Sequence, residues 1–244
     1  MTNKILKAEL YKIFHEKWLY LACFFMIIFS IGFILMQKTA MSYTVGINRV
    51  VFLPMVMYGI VISVLISLFV SEEFDEGFIK NKIISNNNRR EIYLTGLLSN
   101  LIASVIVYLI TALFTLIVSY FLFSINISIL DYVLYFIFGI FIMLVFVGIF
   151  YLVSIVVGKK SKAIIINMGL AFILLIAALI MNGMLMTDNN LLIQFLFDIN
   201  PYGQTAQLTS MNRLDMRESI KIDAFLFIIF TLFGIKYFNK KDIN

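Results

Sequence analysis

Charged residues, cysteine and histidine are scarce in this sequence. Only 14% of its 244 residues are charged, whereas ordinary soluble domains carry about 25%. The single cysteine, Cys23, excludes an internal disulfide, and the single histidine, His15, has no second histidine or carboxylate pair beside it. The G-x-x-x-x-G-K-[S/T] pattern that binds nucleotide phosphates does not occur. We therefore predict no cofactor and no metal site in this chain.

Apolar residues dominate what is present. They make up 62% of the chain, and the mean hydropathy is +1.00. A soluble domain of this size cannot bury such an excess, so lipid is the expected solvent. A transmembrane helix needs about 20 apolar residues to cross a core roughly 30 Å thick. The sequence predicts an all-α polytopic membrane protein, a single domain over residues 1–244, with six spans at about 18–36, 50–70, 97–123, 132–157, 163–186 and 222–238.

Lysine and arginine are distributed unevenly around these six runs. The net charge of +5 does not indicate a nucleic-acid partner, because the basic residues lie in short segments beside the apolar runs. Fourteen of the 19 lie before the first run, after the second and fourth runs, or in the C-terminal tail. Positive charge of this kind marks cytoplasmic segments. We therefore predict cytoplasmic N- and C-termini and a multi-pass protein of the cell (plasma) membrane.

The segment before the first span has helical periodicity. Leu6, Leu10, Ile13 and Phe14 fall on one face of a helix over residues 3–16, with the charged residues elsewhere. Such a pattern predicts an amphipathic elbow helix lying along the inner membrane interface.

The predicted spans contain almost no ionisable groups. Asp131 and Asp223 fall at the outer starts of spans four and six, where we expect them to act as helix N-caps. Asn167 and Asn182, deep in span five, favour hydrogen bonds to neighbouring helices. A proton-coupled transporter or an intramembrane protease would place carboxylates, histidines or metal ligands in the spans. These two classes, and polytopic enzymes in general, are disfavoured.

Small residues recur every four positions in span two. Gly59, Ser63 and Ser67 would let another helix approach closely and form a helix-packing seam. The partner helix belongs either to this chain or to a second subunit, and the spacing does not distinguish the two.

The segment between spans two and three, residues 71–92, concentrates charge around a bend. Four acids, which oppose the helix dipole at the end of span two, precede Gly77. Beyond it, Phe78, Ile79, Ile83 and Ile84 give a short helix with an apolar ridge. A solvated loop needs no such ridge, so the pattern favours insertion into a groove on a soluble partner.

These residues also carry a family resemblance. The run Glu72–Asn81, followed by Arg89 or Arg90 and Leu94, resembles the E-[EF/EY]-x-x-G-[T/S]-[I/x]-[K/R]-N…S-R…L pattern after the second span of ABC-2-type permeases. The similarity is greatest to permeases of bacitracin, lantibiotic-immunity and modulin-type peptide exporters. The order of elbow, six spans and a long outer segment is similar as well.

Two positions depart from that pattern. Phe78 stands where threonine or serine is commoner, and Asn88 stands where serine precedes the arginine. The resemblance implies a coupling helix that docks on a separate ATPase subunit through residues Glu73, Gly77, Phe78, Ile79, Lys80, Asn81 and Ile83.

The resemblance further implies a function and partners. The chain would be the non-enzymatic permease subunit of an ATP-driven ABC exporter, with ATP and Mg²⁺ bound by the partner ATPase. A second permease chain, as homo- or heterodimer, would complete the pathway for amphipathic, antimicrobial or toxin peptides. The alternative is a membrane sensor or assembly protein whose loop binds a partner other than an ATPase.

The outer segment, residues 187–221, offers two interpretations. Its apolar part before Pro201 is long enough for a short helix that re-enters the outer leaflet. A folded extracellular loop is the other interpretation.

Overall fold

The computed structural model describes residues 2–40, 46–47, 50–85, 88–124, 128–187, 190–210 and 216–241. These residues form ten helices and no strand. In chain order the helices are α1 Thr2–His15, α2 Lys17–Ala40, α3 Met55–Asp75, α4 Phe78–Ile84, α5 Arg89–Leu122, α6 Ile129–Val157, α7 Lys160–Leu185, α8 Leu191–Ile199, α9 Pro201–Ser210 and α10 Met216–Lys240.

Five of the described helices, α2, α3, α5, α6 and α7, are long and apolar enough to cross a membrane. This confirms the predicted all-α, multi-pass character of the chain. The sixth predicted span, 222–238, lies within α10, and its assignment as a span remains a prediction.

The ends of the helices differ from the predicted span boundaries. Most helices continue past the apolar run in hydrogen-bonded turns, and α3 begins later than predicted. Helix α3 begins after Pro54 rather than at residue 50, and it continues to Asp75. Helix α5 begins at Arg89, eight residues before the predicted span, because the side chain of Asn88 caps it and accepts from the Arg90 amide at 3.0 Å. Only α4 is therefore a separate helix within residues 71–92.

Neither of the two aspartates predicted as N-caps occupies an N-cap position. Ser128 is the N-cap of α6, and its hydroxyl accepts from the Asp131 amide at 3.0 Å. Asp131 lies one turn inside that helix. Helix α10 already begins at Met216, so Asp223 lies in its second turn, fully buried.

Helix α6 is at the centre of the bundle and packs against α3, α5, α7, α9 and α10. Its aromatic residues Phe146 and Phe150 are completely buried. Helix α10 runs beside α6 in the same direction. Gly148 of α6 lies next to Phe227 and Phe230, and Gly158, ten residues further along, lies next to Lys241.

Helices α8 and α9 form a hairpin that turns at the depth of the middle of α7. At the turn, the Asn200 amide donates to the Leu174 carbonyl at 2.9 Å, and Leu174 is close to the midpoint of α7. The Asn200 side chain also caps α9, since its oxygen accepts from the Tyr202 amide at 3.0 Å. Helix α9 is largely buried against α3, α6 and α7, whereas most of α8 is exposed. The apolar segment before Pro201 is thus a short helix with a largely exposed surface, and the helix buried among its neighbours is α9.

Candidate docking site at the basic end of the bundle

One end of the bundle collects most of the charged side chains. Helices α3 and α6 end there, α2, α5 and α7 begin there, and α4 lies across it. We call this end, where Lys17, Lys82, Arg89, Lys160 and Lys241 lie, the basic end.

Gly77 sets the direction of α4. Its φ is +72°, in the left-handed region, where residues with a Cβ are strained. An added Cβ would meet no atom within 4 Å, so the requirement for glycine is conformational rather than steric. The bend turns the chain from the end of α3 into α4.

The apolar residues of α4 point in two directions. Ile79 is only 2% exposed and, with the half-buried Ile83, packs against the core. Phe78 is 42% exposed and Ile84 is 71% exposed. The four apolar residues therefore do not form the single ridge that the sequence predicted: two face the core and two are exposed. Exposed residues Phe78, Lys80, Asn81 and Ile84 form what we call the outer face of α4.

Lys82 anchors the opposite face of α4 to two other helices. Its ammonium pairs with Glu9 of α1 and lies 3.0 Å from a carboxylate oxygen of Glu73 on α3. Burial by itself raises the pKa of Glu9, but the hydrogen bond with Glu73 and the charge of Lys82 outweigh it, and the net pKa is lowered. Burial lowers the pKa of Lys82, and the charges of Glu73 and Glu9 outweigh it, so the net pKa is raised. Both net shifts favour the ionised pair.

Glu72 joins α3 to two further helices. Its carboxylate accepts from the Trp18 indole of α2 at 3.2 Å and from the Lys160 ammonium of α7 at 2.5 Å. Two of the four acids that oppose the dipole at the end of α3, Glu72 and Glu73, thus lie against cations from other helices.

Two cations cap helix ends at the same level. The Arg89 guanidinium donates to the carbonyls of Phe238, Asn239 and Lys241 at 3.3, 3.2 and 2.7 Å, at the end of α10. The Lys241 ammonium in turn donates to the Ile155 carbonyl at 2.6 Å, near the end of α6. Carbonyls in the last turn of a helix lack intrahelical donors, so these contacts hold the helix ends together.

The structure brings the predicted coupling residues to one place but divides them by role. Phe78, Lys80 and Asn81 lie on the outer face of α4. Glu73, Ile79 and Ile83 face the bundle, and Gly77 makes the bend.

The predicted helix-packing seam is formed with other helices of the same chain. Gly59 packs against Phe146 and Tyr202, and both Ser63 and Ser67 are completely buried. The hydroxyl of Ser67 accepts from the Asn167 amide at 2.8 Å. Asn167 therefore makes the interhelical bonds predicted for it.

The sequence did not predict the contacts that Glu9, Lys82 and Lys160 make at the basic end. Their only signal is charge in loops, which also accounts for membrane orientation and so identifies no partner. Within the described part of the chain, no group of three or more His, Cys, Asp or Glu side chains could hold a metal ion.

The fold defines the chain as an all-helical, multi-pass membrane protein with a helix laid across one end of its bundle. The chain belongs to the family described as protein of unknown function DUF2705, whose family model matches residues 19–244. No curated protein matches the chain.

Proposed function

We propose that this chain is the permease subunit of an ATP-driven ABC exporter and that α4 is its coupling helix. A separate ATPase subunit would bind ATP and Mg²⁺ and would dock at the basic end. The observation that carries the proposal is the division of α4 into an anchored face and an exposed face. Lys82 and Ile79 fix α4 to the bundle, while Phe78 and Ile84 are exposed. A helix held in this way can bind a soluble partner and transmit the partner's movement to the bundle.

The proposal includes six spans with both termini in the cytoplasm of the cell membrane. The course of α10 beside α6 supports the sixth span, because both helices reach the basic end together and are joined there by Lys241. The excess of lysine and arginine at this end supports its cytoplasmic placement.

The cargo and the second subunit rest on the resemblance of residues 72–81 to peptide-exporter permeases. We propose that two permease chains enclose a path for amphipathic, antimicrobial or toxin peptides. The buried positions of Gly59, Ser63 and Ser67 argue that these three residues are not the contact between the two chains.

Co-purification with an ATPase tests the proposal. The chain is expressed with an ATPase encoded beside it, extracted in detergent, and assayed for bound ATPase and ATP turnover. We expect Phe78→Asp to lose most of the bound ATPase, because a charged group would enter an apolar contact. Phe14→Asp is the matched control, since Phe14 is equally exposed, at 42%, but lies on α1.

Three outcomes separate the hypotheses. Loss of the ATPase with Phe78→Asp alone supports the coupling helix. Normal binding and turnover by a folded Phe78→Asp variant would contradict the role of α4. Absence of any ATPase, with a different soluble protein bound through Phe78, would favour the sensor or assembly alternative.

A further inference from the structure

A second surface at the basic end is a groove between α2 and α3, separate from the outer face of α4. It runs from Trp18 to Phe29 on α2 and from Leu68 back to Ile60 on α3, with a volume of about 290 Å³. We call it the α2/α3 groove. Among the described residues that line it, every side chain is apolar apart from the indole nitrogen of Trp18.

The length of the groove matches one leaflet of a bilayer. From Trp18 to Phe29 is eleven residues, or about 16 Å at the helical rise. The hydrocarbon core is roughly 30 Å thick, so the groove extends from the basic end to about the bilayer centre. A single acyl chain has this reach.

The mouth of the groove carries positive charge. The Lys17 ammonium lies 5.1 Å from the centre of the Trp18 ring, and the Lys160 ammonium lies 5.6 Å from it. Glu72 pairs with Lys160 and accepts from the Trp18 indole, so Lys17 and Lys160 together bring two positive charges to the one negative charge of Glu72. The mouth is therefore suited to a negatively charged headgroup.

We propose that the α2/α3 groove binds an anionic phospholipid, with one acyl chain in the groove and the phosphate beside Lys17 and Lys160. A peptide or a helix of a second chain is a poorer occupant. An extended peptide would bring backbone N–H and C=O groups into a groove that offers them no partners. A helix of a second chain could place only a few apolar side chains in a groove of about 290 Å³ and would bring no negative charge to Lys17 and Lys160 at its mouth.

Trp18 provides the test, because it is the only tryptophan in the chain and it lines the groove. The protein is reconstituted into vesicles of phosphatidylcholine and phosphatidylglycerol at 3:1, with brominated acyl chains on one lipid or on the other. Bromine quenches tryptophan fluorescence on contact. We expect quenching per mole to be about five-fold greater for phosphatidylglycerol, the ratio that one lysine beside an anionic headgroup gives.

Two variants with controls locate the effect. Lys17→Gln should bring the two lipids to nearly equal quenching, whereas Lys38→Gln, at the opposite end of α2, should keep the preference. Val64→Phe, which narrows the groove, should reduce quenching by both lipids. Val133→Phe, on the exposed surface of α6, should not.

Equal quenching per mole by both lipids in the wild type would overturn the proposal, and so would a preference that survives both Lys17→Gln and Val64→Phe. Weak quenching by both lipids would mean that protein covers the groove, which also overturns it. The measurement needs no ATPase, so its outcome is independent of the function proposed for α4.

Discussion

The side-chain amide of Asn167 on α7 donates to the hydroxyl of Ser67 on α3, with 2.8 Å between the nitrogen and the oxygen. The same nitrogen lies 2.8 Å from the Ser154 hydroxyl and 3.1 Å from the Phe150 carbonyl, both on α6. One amide thus connects three helices in the buried interior. Because lipid offers no alternative partner, the three helices are held in one register.

We expect Asn167→Ala to lower the free energy of unfolding by about 1–2 kcal/mol, because it removes an amide with three interhelical acceptors, each interhelical hydrogen bond contributing about 0.6 kcal/mol on average. The measurement is thermal unfolding in detergent. Asn182→Ala, on the same helix and only partly buried, is the control and should change little. A double-mutant cycle with Ser67→Ala that showed simple additivity would contradict a direct Asn167–Ser67 interaction.

Lys82→Met should be more damaging, because it leaves Glu9 and Glu73 buried together without their cation. We expect a loss of about 3 kcal/mol, as for one partner removed from a buried ion pair. Adding Glu9→Gln should recover part of this loss, since it removes the buried carboxylate that Lys82 would otherwise pair with. Lys80→Met, on the outer face of the same helix, is the control, and an equal loss there would contradict this account.

The Glu9–Lys82 pair also predicts a dependence on pH. The pKa of Glu9 is lowered, so its contribution is complete above the ordinary value of 4.5 and is lost as the pH falls through the folded-state pKa. The pKa of Lys82 is raised, so its contribution is complete below 10.5 and is lost at higher pH. We expect the stability difference between wild type and Glu9→Gln to shrink as the pH falls below 4.5, through the lowered folded-state pKa of Glu9. A difference that stayed unchanged at low pH would show that Glu9 is not ionised in the fold.

Arg89 and Arg90 are adjacent in sequence, but only the Arg89 side chain binds the carbonyls at the end of α10. Substitution of Arg90 is therefore a matched control for substitution of Arg89. Arg89→Gln should release the end of α10, since hydrogen bonds to charged groups contribute about 1.5–3 kcal/mol. Amide hydrogen exchange over residues 236–241 should then rise by at least about ten-fold. Arg90→Gln should leave exchange there unchanged, because the exposed Arg90 side chain makes no such cap. Similar exchange in the two variants would argue against the cap.

The hydroxyl of Tyr151 packs closely against the backbone of Gly96. Tyr151 lies on Gly96 and donates to the Tyr93 carbonyl at 3.1 Å, three residues before the glycine. A methyl group at Gly96 would collide with that hydroxyl, so Gly96→Ala should cost about 1–3 kcal/mol in thermal unfolding.

Two further variants check this explanation. Gly169→Ala should be neutral or slightly stabilising, because nothing lies within 4 Å of a Cβ there. Tyr151→Phe combined with Gly96→Ala should recover part of the loss, since the colliding oxygen is absent. Failure of this rescue would place the cost of Gly96→Ala elsewhere.

The charge pattern of the sequence predicted where the basic residues lie in the bundle, but not which residues they contact. Positive residues identified one end of the bundle, yet the pairing of Lys82 with Glu9 joins residues 73 positions apart. Arg89 and the end of α10 are about 150 positions apart. Pairings at such separations depend on which helices are neighbours, and no local pattern reports that.

The sequence by itself determined that the chain is helical and multi-pass, because runs of about 20 apolar residues have only one way to satisfy their backbone in lipid. It also placed a short amphipathic helix between the second and third spans, since Gly77 and the isoleucines around it encode a bend and a turn. Only the tertiary structure decided which side chains of that helix are exposed. Phe78 and Ile79 are adjacent and both apolar, but packing of α4 against α3 and α5 buries Ile79, whereas Phe78 stays 42% exposed with the Lys12 ammonium 4.8 Å from the centre of its ring. The same packing made Glu73, one of the four acids at the end of α3, part of the anchor of α4, and left Asp75 and Glu76 exposed.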